Sequence, residues 1–92
     1  MVEIKHQFTE EIIQVVPVDT LEEADLTGMV LAVANLDGAN LRGCNLRNAN
    51  MTGACVTNAV LTGADLRGAN FTGADLGHAM LGVRWLIYCR RP

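Results

Sequence analysis

Hydrophobic and polar residues recur in this chain with a period of five from Ala24 to Val83. Twelve consecutive pentapeptides carry a hydrophobic residue at their third position, here called position i, and it is Leu in nine of them. Position i−2 is Ala in ten, position i−1 is Asp or Asn in eight, and position i+2 is Gly or Asn in nine. Because a five-residue period fits neither a helix nor a long strand, the pattern predicts short extended segments separated by turns.

Each pentapeptide is predicted to place positions i−2 and i on one face and position i−1 on the other. Gly or Asn at i+2 suits a type II turn, whose third residue needs a positive φ. Four segments then form a twenty-residue coil, and coils stack about 4.8 Å apart. Residues twenty apart therefore form columns, and the predicted interior columns are Leu21-Leu41-Leu61-Leu81, Leu26-Leu46-Leu66-Leu86, Leu31-Met51-Phe71 and Leu36-Val56-Leu76.

Three corners depart from this turn chemistry. Position i+2 is occupied by Val33, His78 and Val83. A positive φ is costly for residues other than Gly, and most costly for β-branched ones. We therefore predict a different turn geometry at these three corners.

The repeated Ala-(Asp/Asn)-Leu-x-Gly pattern resembles that of pentapeptide-repeat proteins over Ala24–Val83. The resemblance implies an all-β fold, a right-handed quadrilateral β-helix of about three coils. The expected organisation is an N-terminal cap in residues 1–20, the β-helix in residues 21–83 and an apolar C-terminal cap in residues 84–92. Most members of this family have no known biochemical role, and a minority bind DNA gyrase as elongated mimics of DNA.

Both ends of such a stack expose unpaired backbone groups and need a cover. Near the N-terminus, Phe8, Ile12, Ile13 and Val16 are spaced as on one face of a helix that Thr9 would cap. The alternative is a strand over residues 12–16, since β-branched residues favour strands. At the other end Arg84 falls at an interior position, where an unpaired charge cannot be buried, so the coil should end there.

The composition and charge of the chain argue against several classes of function. The chain has 92 residues and a net charge of −3, which does not suit direct nucleic-acid binding. No apolar run approaches the roughly 18 residues of a membrane span, and no signal peptide is predicted. The three cysteines, Cys44, Cys55 and Cys89, lack metal-binding spacing. We expect free thiols in the cytoplasm, with an intermolecular disulfide through Cys89 as the alternative.

The sequence offers no candidate catalytic group. It has no Ser and only two histidines, His6 and His78, in different parts of the chain. Glycines recur singly at corners and form no phosphate-binding loop. The Asp25-Asn45-Asp65 column is better explained by structure, because alternation avoids stacking like charges. We predict a non-enzymatic protein without a metal or cofactor.

Two surface features are candidate binding sites. Arg42, Arg47 and Arg67 form a candidate basic patch. The candidate interface is apolar, since Val60 and Met80 replace Asp or Asn in one column; its residues are Val60, Met80, Val83, Trp85 and Leu86. Such a strip marks an interface in a small protein unless the tail folds over it. It also predicts a two-fold homodimer through the C-terminal end, with Trp85 and Leu86 as anchors.

The functional prediction is a scaffold that binds a protein partner. The alternative is a DNA-mimic regulator or protector of DNA gyrase. A mimic needs rows of carboxylates, yet Asp37 is the one acid at position i+1 of the twelve repeats. Three coils extend for about 15 Å, less than half of one turn of DNA at about 34–36 Å. A third class, a surface-binding protein using Thr52 and Thr72, is disfavoured because two threonines make a short ladder.

Overall fold

The computed structural model describes residues 1–82, and these form a stack of coils covered at one end by a hairpin. Strand β1 is Val2–His6, β2 is Ile12–Val16 and β3 is Ala34–Asn35. Within the described residues all regular elements are extended, and none is a helix. The first coil is residues 24–43, the second is 44–63 and the third begins at residue 64.

Consecutive coils are joined by parallel backbone pairing between residues twenty apart. Asp25 pairs with Asn45, and Asn45 pairs with Asp65. In each step the N–H of residue i donates to the carbonyl of the next coil, as Leu26 does to Asn45 at 2.8 Å. Asn45 in turn donates to Ala24 O at 3.0 Å. This ladder confirms the predicted twenty-residue coil.

The four faces of the stack are numbered here by their interior residues. Face 1 contains Leu21, Leu41, Leu61 and Leu81; face 2 contains Leu26, Leu46 and Leu66; face 3 contains Leu31, Met51 and Phe71; face 4 contains Leu36, Val56 and Leu76. These side chains are buried, or partly buried in the cases of Leu76 and Leu81. Burying each fully buried one stabilises the fold by about 1.5–3 kcal/mol. The interior columns are therefore confirmed for the described residues.

Every corner from Leu21 to Ala79 is closed by a hydrogen bond from the N–H of residue i+3 to the carbonyl of residue i. The third residue of each turn has a positive φ, whereas the second has not. This combination defines a type II turn. The prediction is confirmed at the glycine corners and at Asn48 and Asn58, whose φ values are 60° and 59°.

The prediction for Val33 and His78 was wrong, because their φ values are 56° and 57°. At Val33 both backbone groups are engaged. Its N–H donates to Thr52 O at 2.9 Å, and its carbonyl accepts from Gln7 N at 3.0 Å. Stacking on regular neighbours thus imposes the corner geometry on a residue that disfavours it. Val83 lies outside the described residues.

The N-terminal cap is an antiparallel hairpin, and the predicted helix was wrong. β1 pairs with β2 on one side and with β3 of the first coil on the other. Ile4 and Val16 are buried against the core, while Phe8 is 79% exposed in the loop. The strand alternative is confirmed, because the open edge of the first coil offers backbone groups that only an extended chain can pair. The C-terminal cap, residues 84–92, lies outside the described residues.

Candidate interaction surface

The Asp and Asn side chains at position i−1 have a structural role in the coil. Each of the eight accepts a hydrogen bond from the backbone N–H of position i+1, at 3.0–3.2 Å. These residues are Asp25, Asn35, Asn40, Asn45, Asn50, Asp65, Asn70 and Asp75. An Asx turn of this kind satisfies the backbone donor of the second residue of each corner turn. Where a hydrocarbon side chain occupies position i−1, this hydrogen-bond acceptor is absent.

On face 1, two stacked i−1 positions carry hydrocarbon side chains in place of Asp or Asn. Asn40 makes the Asx bond in the first coil, and Val60 and Met80 follow it in the second and third. Val60 is half-buried, whereas Met80 is 60% exposed. The structure therefore brings Val60 and Met80 together as predicted. We call this pair the face-1 apolar column.

The other residues of the candidate interface, Val83, Trp85 and Leu86, lie outside the described residues. Position i+1 of face 1 carries the exposed side chains of Glu22, Arg42 and Thr62. The apolar column is thus bordered on its own face by both signs of charge and by a hydroxyl. An apolar centre with a polar border is the usual anatomy of a protein interface.

The candidate basic patch is divided between two faces. Arg42 lies on face 1, and Arg47 and Arg67 lie on face 2 beside Asp65. Arg67 binds Asp65 with two parallel contacts, Nε to Oδ1 at 2.9 Å and Nη2 to Oδ2 at 2.6 Å. Arg47 Nε is 3.8 Å from the same Oδ2. The Arg67 hydrogen bonds hold the pKa of Asp65 below its ordinary value, so this carboxylate offsets part of the positive charge on face 2.

Two other carboxylates are engaged within the stack. Thr27 donates from its hydroxyl to Asp25 at 2.7 Å and lowers the pKa of that carboxyl. Thr57 and Asn58 of the second coil donate to Asp37 of the first, and they lower its pKa too. These bonds link neighbouring positions along faces 2 and 4. The carboxylates therefore contribute to the structure of the coils.

The cysteine thiols differ in their surroundings. Cys44 is fully buried in place of an interior Ala, and its Sγ lies 2.9 Å from Leu41 O. Burial raises the pKa of this thiol to about 11, which makes it unreactive at neutral pH. Cys55 is half-buried on face 4 and its Sγ is 3.4 Å from the Thr57 hydroxyl. Cys89 lies outside the described residues.

One apolar surface was missed by the sequence analysis. Phe8, Ile12 and Val15 of the hairpin are 79%, 51% and 46% exposed. The helix interpretation placed two of them on a buried face. The β-branched run over residues 12–16 was the available signal for a strand, and an edge strand leaves one face in solvent. A bulge that leaves Ile13 without a partner in β1 brings Ile12 and Val15 to that same face.

Residues 1–82 contain no group of three side chains that could hold a metal ion. Within that same part of the chain, no helix has the length and apolar character needed to cross a membrane.

Comparison with known proteins identifies the repeat. A family model described as pentapeptide repeats matches residues 20–53 and 56–81, in eight copies. Comparison with curated proteins gave no match. Among solved structures, a pentapeptide repeat protein from the cyanobacterium Cyanothece 51142 is similar, with 33% identity and a TM-score of 0.55 over 64% of this chain. A pentapeptide repeat protein of the Arabidopsis thaliana thylakoid lumen has 34% identity and a TM-score of 0.52 over 65%.

This chain matches 47% of the length of the cyanobacterial protein and 45% of the plant one. It therefore spans less than half of the length of each of these two proteins.

Proposed function

Because this chain belongs to the pentapeptide-repeat family, we propose that it is a non-enzymatic scaffold that binds a protein partner through the face-1 apolar column. The observation that carries the proposal is the replacement of Asx residues by Val60 and Met80. Eight other repeats use position i−1 to accept a hydrogen bond. On face 1, Val60 and Met80 occupy two successive i−1 positions and cannot accept this hydrogen bond. Their hydrocarbon side chains face the solvent instead.

A residue that breaks a local structural rule without an evident packing gain marks a functional position. Met80 fits this description, because it is 60% exposed and replaces a hydrogen-bonding side chain. Its flexible thioether chain adapts to irregular partner surfaces. Arg42, exposed on the same face, would meet an acidic side chain at the rim of the contact.

The gyrase alternative receives less support from the described surface. A DNA mimic needs free carboxylates in rows, whereas Asp65 is paired with Arg67 on face 2. Asp37 accepts hydrogen bonds from Thr57 and Asn58 on face 4. A supercoiling assay with purified gyrase separates the two functions. Inhibition at micromolar or lower concentration would favour the mimic and contradict the scaffold.

The direct test is partner capture from an extract of the organism that encodes the chain. The test variant is Val60→Asn/Met80→Asn, which restores the side-chain acceptor used by eight other repeats and should fold. We expect about a tenfold or greater loss of the captured partner, because the central apolar contacts of an interface carry most of its binding energy.

The matched control is Val30→Asn, which replaces a 57% exposed apolar residue at the same repeat position on face 3. This variant should capture the partner as the wild type does. Equal capture by the face-1 variant and the wild type would contradict the proposal. A photo-crosslinking residue at Thr62 provides a second readout, since it should label the partner directly from face 1.

A further inference from the structure

β2 is the terminal strand of the face-4 sheet on the side of the N-terminal hairpin, and its outer edge is therefore the edge of that sheet. The sheet runs in the order β2, β1, Asn35, Cys55 and Asp75. Within the described residues β2 has a strand partner on one side only. Its side chains Ile12 and Val15 are half-exposed. An apolar edge strand of this kind is a template for pairing with another extended chain.

The charges around this edge indicate what would pair with it. Glu10 and Glu11 immediately precede β2, and both are exposed. Eight of the ten acidic residues of the chain lie in residues 1–40, whereas its six arginines all lie from residue 42 onward. The N-terminal end of the molecule is therefore acidic. A complementary strand would be apolar and would carry adjacent positive charge.

The chain itself contains such a segment beyond the described residues. Residues 85–91 read Trp-Leu-Ile-Tyr-Cys-Arg-Arg. Five apolar, aromatic or β-branched residues, a composition that favours strands, are followed directly by two arginines. In antiparallel pairing, the residues that follow one strand lie opposite those that precede the other. Such pairing places Arg90 opposite Glu11 and Cys89 opposite Ile12.

The length of the chain decides whether this partner is the same molecule or another. A strand added outside β2 would lie five steps from Asp75 of the third coil, about 24 Å at a spacing of 4.8 Å. Met80 and Gly82 belong to that third coil. Trp85 is three residues beyond Gly82, and three residues span at most about 10 Å. The tail cannot reach the β2 edge of its own molecule in this register.

We propose that the β2 edge binds residues 85–91 of a second copy of this chain, as an added antiparallel strand. The contact is heterologous, because it joins the N-terminal end of one molecule to the C-terminal tail of the next. Unless the arrangement closes, contacts of this type build chains of molecules. This surface is separate from the face-1 apolar column, so its failure would leave the proposed partner binding untouched.

Disulfide trapping tests the register. Under mild oxidation, Ile12→Cys should be crosslinked to Cys89 of another copy and give species of two or more chains on a non-reducing gel. Directly opposed residues in antiparallel strands have Cα atoms about 4.5–5.5 Å apart, within the range of a disulfide. Ile12→Cys/Cys89→Ser is the matched control and should stay monomeric on the gel. Equal crosslinking in both variants, or none in either, would overturn the proposal.

Charge exchange tests the ends of the strand pair by sedimentation equilibrium at tens of micromolar. Glu10→Arg/Glu11→Arg and Arg90→Glu/Arg91→Glu should each weaken self-association by about tenfold, because like charges then face each other. The two variants mixed in equal amounts should recover the association. A head-to-head dimer through the C-terminal ends would ignore the Glu10 and Glu11 changes, and that result, or a monomeric wild type, would contradict the β2 contact.

Discussion

At the scale of single residues, the side chain at one corner controls which residue fits at the same corner of the next coil. Where a larger residue occupies position i+2, glycine follows twenty residues later. The three cases are Glu23 against Gly43, Val33 against Gly53 and Asn48 against Gly68. An added Cβ would lie 3.0 Å from Glu23 Cγ, 3.4 Å from Val33 Cγ1 and would overlap Asn48 Oδ1. A side chain at a corner therefore needs space at the same corner of the next coil.

His78 follows Asn58 at the same corner and illustrates the exception. The Asn58 amide turns away from the third coil and donates to Asp37 Oδ1 of the first, at 3.2 Å. This orientation leaves space at the next coil for a side chain larger than glycine. The wrong prediction for His78 and Val33 has the same origin. The prediction used the φ preference of the corner residue alone, whereas the turn geometry also depends on the residues stacked twenty positions away.

The Asn48–Gly68 contact predicts unequal effects of alanine at two similar corners. Gly68 and Gly73 have φ values of 73° and 71°, so alanine costs about 1–2 kcal/mol in backbone strain at either. Gly73→Ala meets only ordinary contacts at 3.9 Å or more, whereas Gly68→Ala must displace the Asn48 side chain. Urea unfolding should show a further loss of about 1 kcal/mol for Gly68→Ala. Asn48→Gly should remove this difference; a difference that persists would contradict the contact.

Three hydrogen-bonded aspartate carboxylates predict how stability depends on pH. The folded-state pKa values of Asp25, Asp37 and Asp65 are lowered by hydrogen bonds from Thr27, from Thr57 and Asn58, and from Arg67. The folded state therefore binds fewer protons than the unfolded state, whose Asp pKa is about 3.9. The stabilisation is present above about pH 4 and is lost as the pH falls through the lower folded-state values. Unfolding measured from pH 7 to pH 2 should show this decline.

The control for the pH prediction is the triple variant in which all three aspartates are replaced by Asn. Asparagine keeps an acceptor oxygen but does not titrate. Its unfolding free energy should fall less steeply below pH 4 than that of the wild type. Identical acid profiles would show that other groups cause the decline.

At the scale of elements, the hairpin depends on a turn that His6 stabilises. The Nδ1 atom of His6 accepts from the N–H of Phe8 at 3.1 Å and of Thr9 at 3.3 Å. The ring thus acts as an Asx side chain would at the first position of a turn. Glu10 closes the loop with a φ of 62°. The hairpin then pairs with the first coil through β3, and Gln7 reaches the second coil, where its Nε2 donates to Gly53 O at 2.6 Å.

Substitutions at His6 test this role. His6→Asn keeps a side-chain acceptor and should retain the stability of the wild type. His6→Leu removes the acceptor and should cost about 1 kcal/mol, the net contribution of a typical hydrogen bond. Thermal unfolding measures the loss, and amide exchange at Phe8 and Thr9 localises it. Equal protection of these amides in both variants would show that the ring has no part in the turn.

The hairpin also shows why the N-terminal element was harder to predict than the coils. Five residues, Ile12–Val16, fit the spacing of a helix face and the propensity of a strand about equally well. The outcome depends on the open edge of the first coil, which pairs β1 and through it β2. That edge exists only in the folded stack. The coils were predictable because their period recurs twelve times and each repeat supports the next.

At the scale of the whole molecule, stability comes from the interior columns. Leu46 and Leu66 are the middle and upper residues of face 2, with exposures of 0% and 1%. Aspartate there would bury an unpaired charge. Leu46→Asp should therefore abolish folding, as followed by far-UV circular dichroism and thermal melting. Asn70→Asp adds the same charge at an outward position and keeps the acceptor for Thr72, so this control should fold; a folded Leu46→Asp would refute the register.

The face-1 apolar column was also predictable from the sequence, because columns follow directly from the twenty-residue coil. The structure added the reason that it is unusual. The Asx bonds at the other positions were not visible in the residue pattern alone, since Asp and Asn also favour turns and solvent. The Arg67–Asp65 pairing likewise depends on side-chain geometry two residues apart. The Asp65 carboxylate lowers the net positive charge of the candidate basic patch, which the sequence alone predicts to be cationic.

The proposed function requires that Val60 serves a binding surface and is dispensable for the fold. The most direct measurement is the unfolding free energy of Val60→Asn, with Asn50→Val as the reciprocal change. We predict that Val60→Asn stays within about 0.5 kcal/mol of the wild type, because the regained Asx bond offsets the lost apolar contact. Asn50→Val should lose about 1 kcal/mol with its hydrogen bond to Thr52 N–H. A loss of about 2 kcal/mol or more for Val60→Asn would contradict the claim, since Val60 would then be part of the structural core.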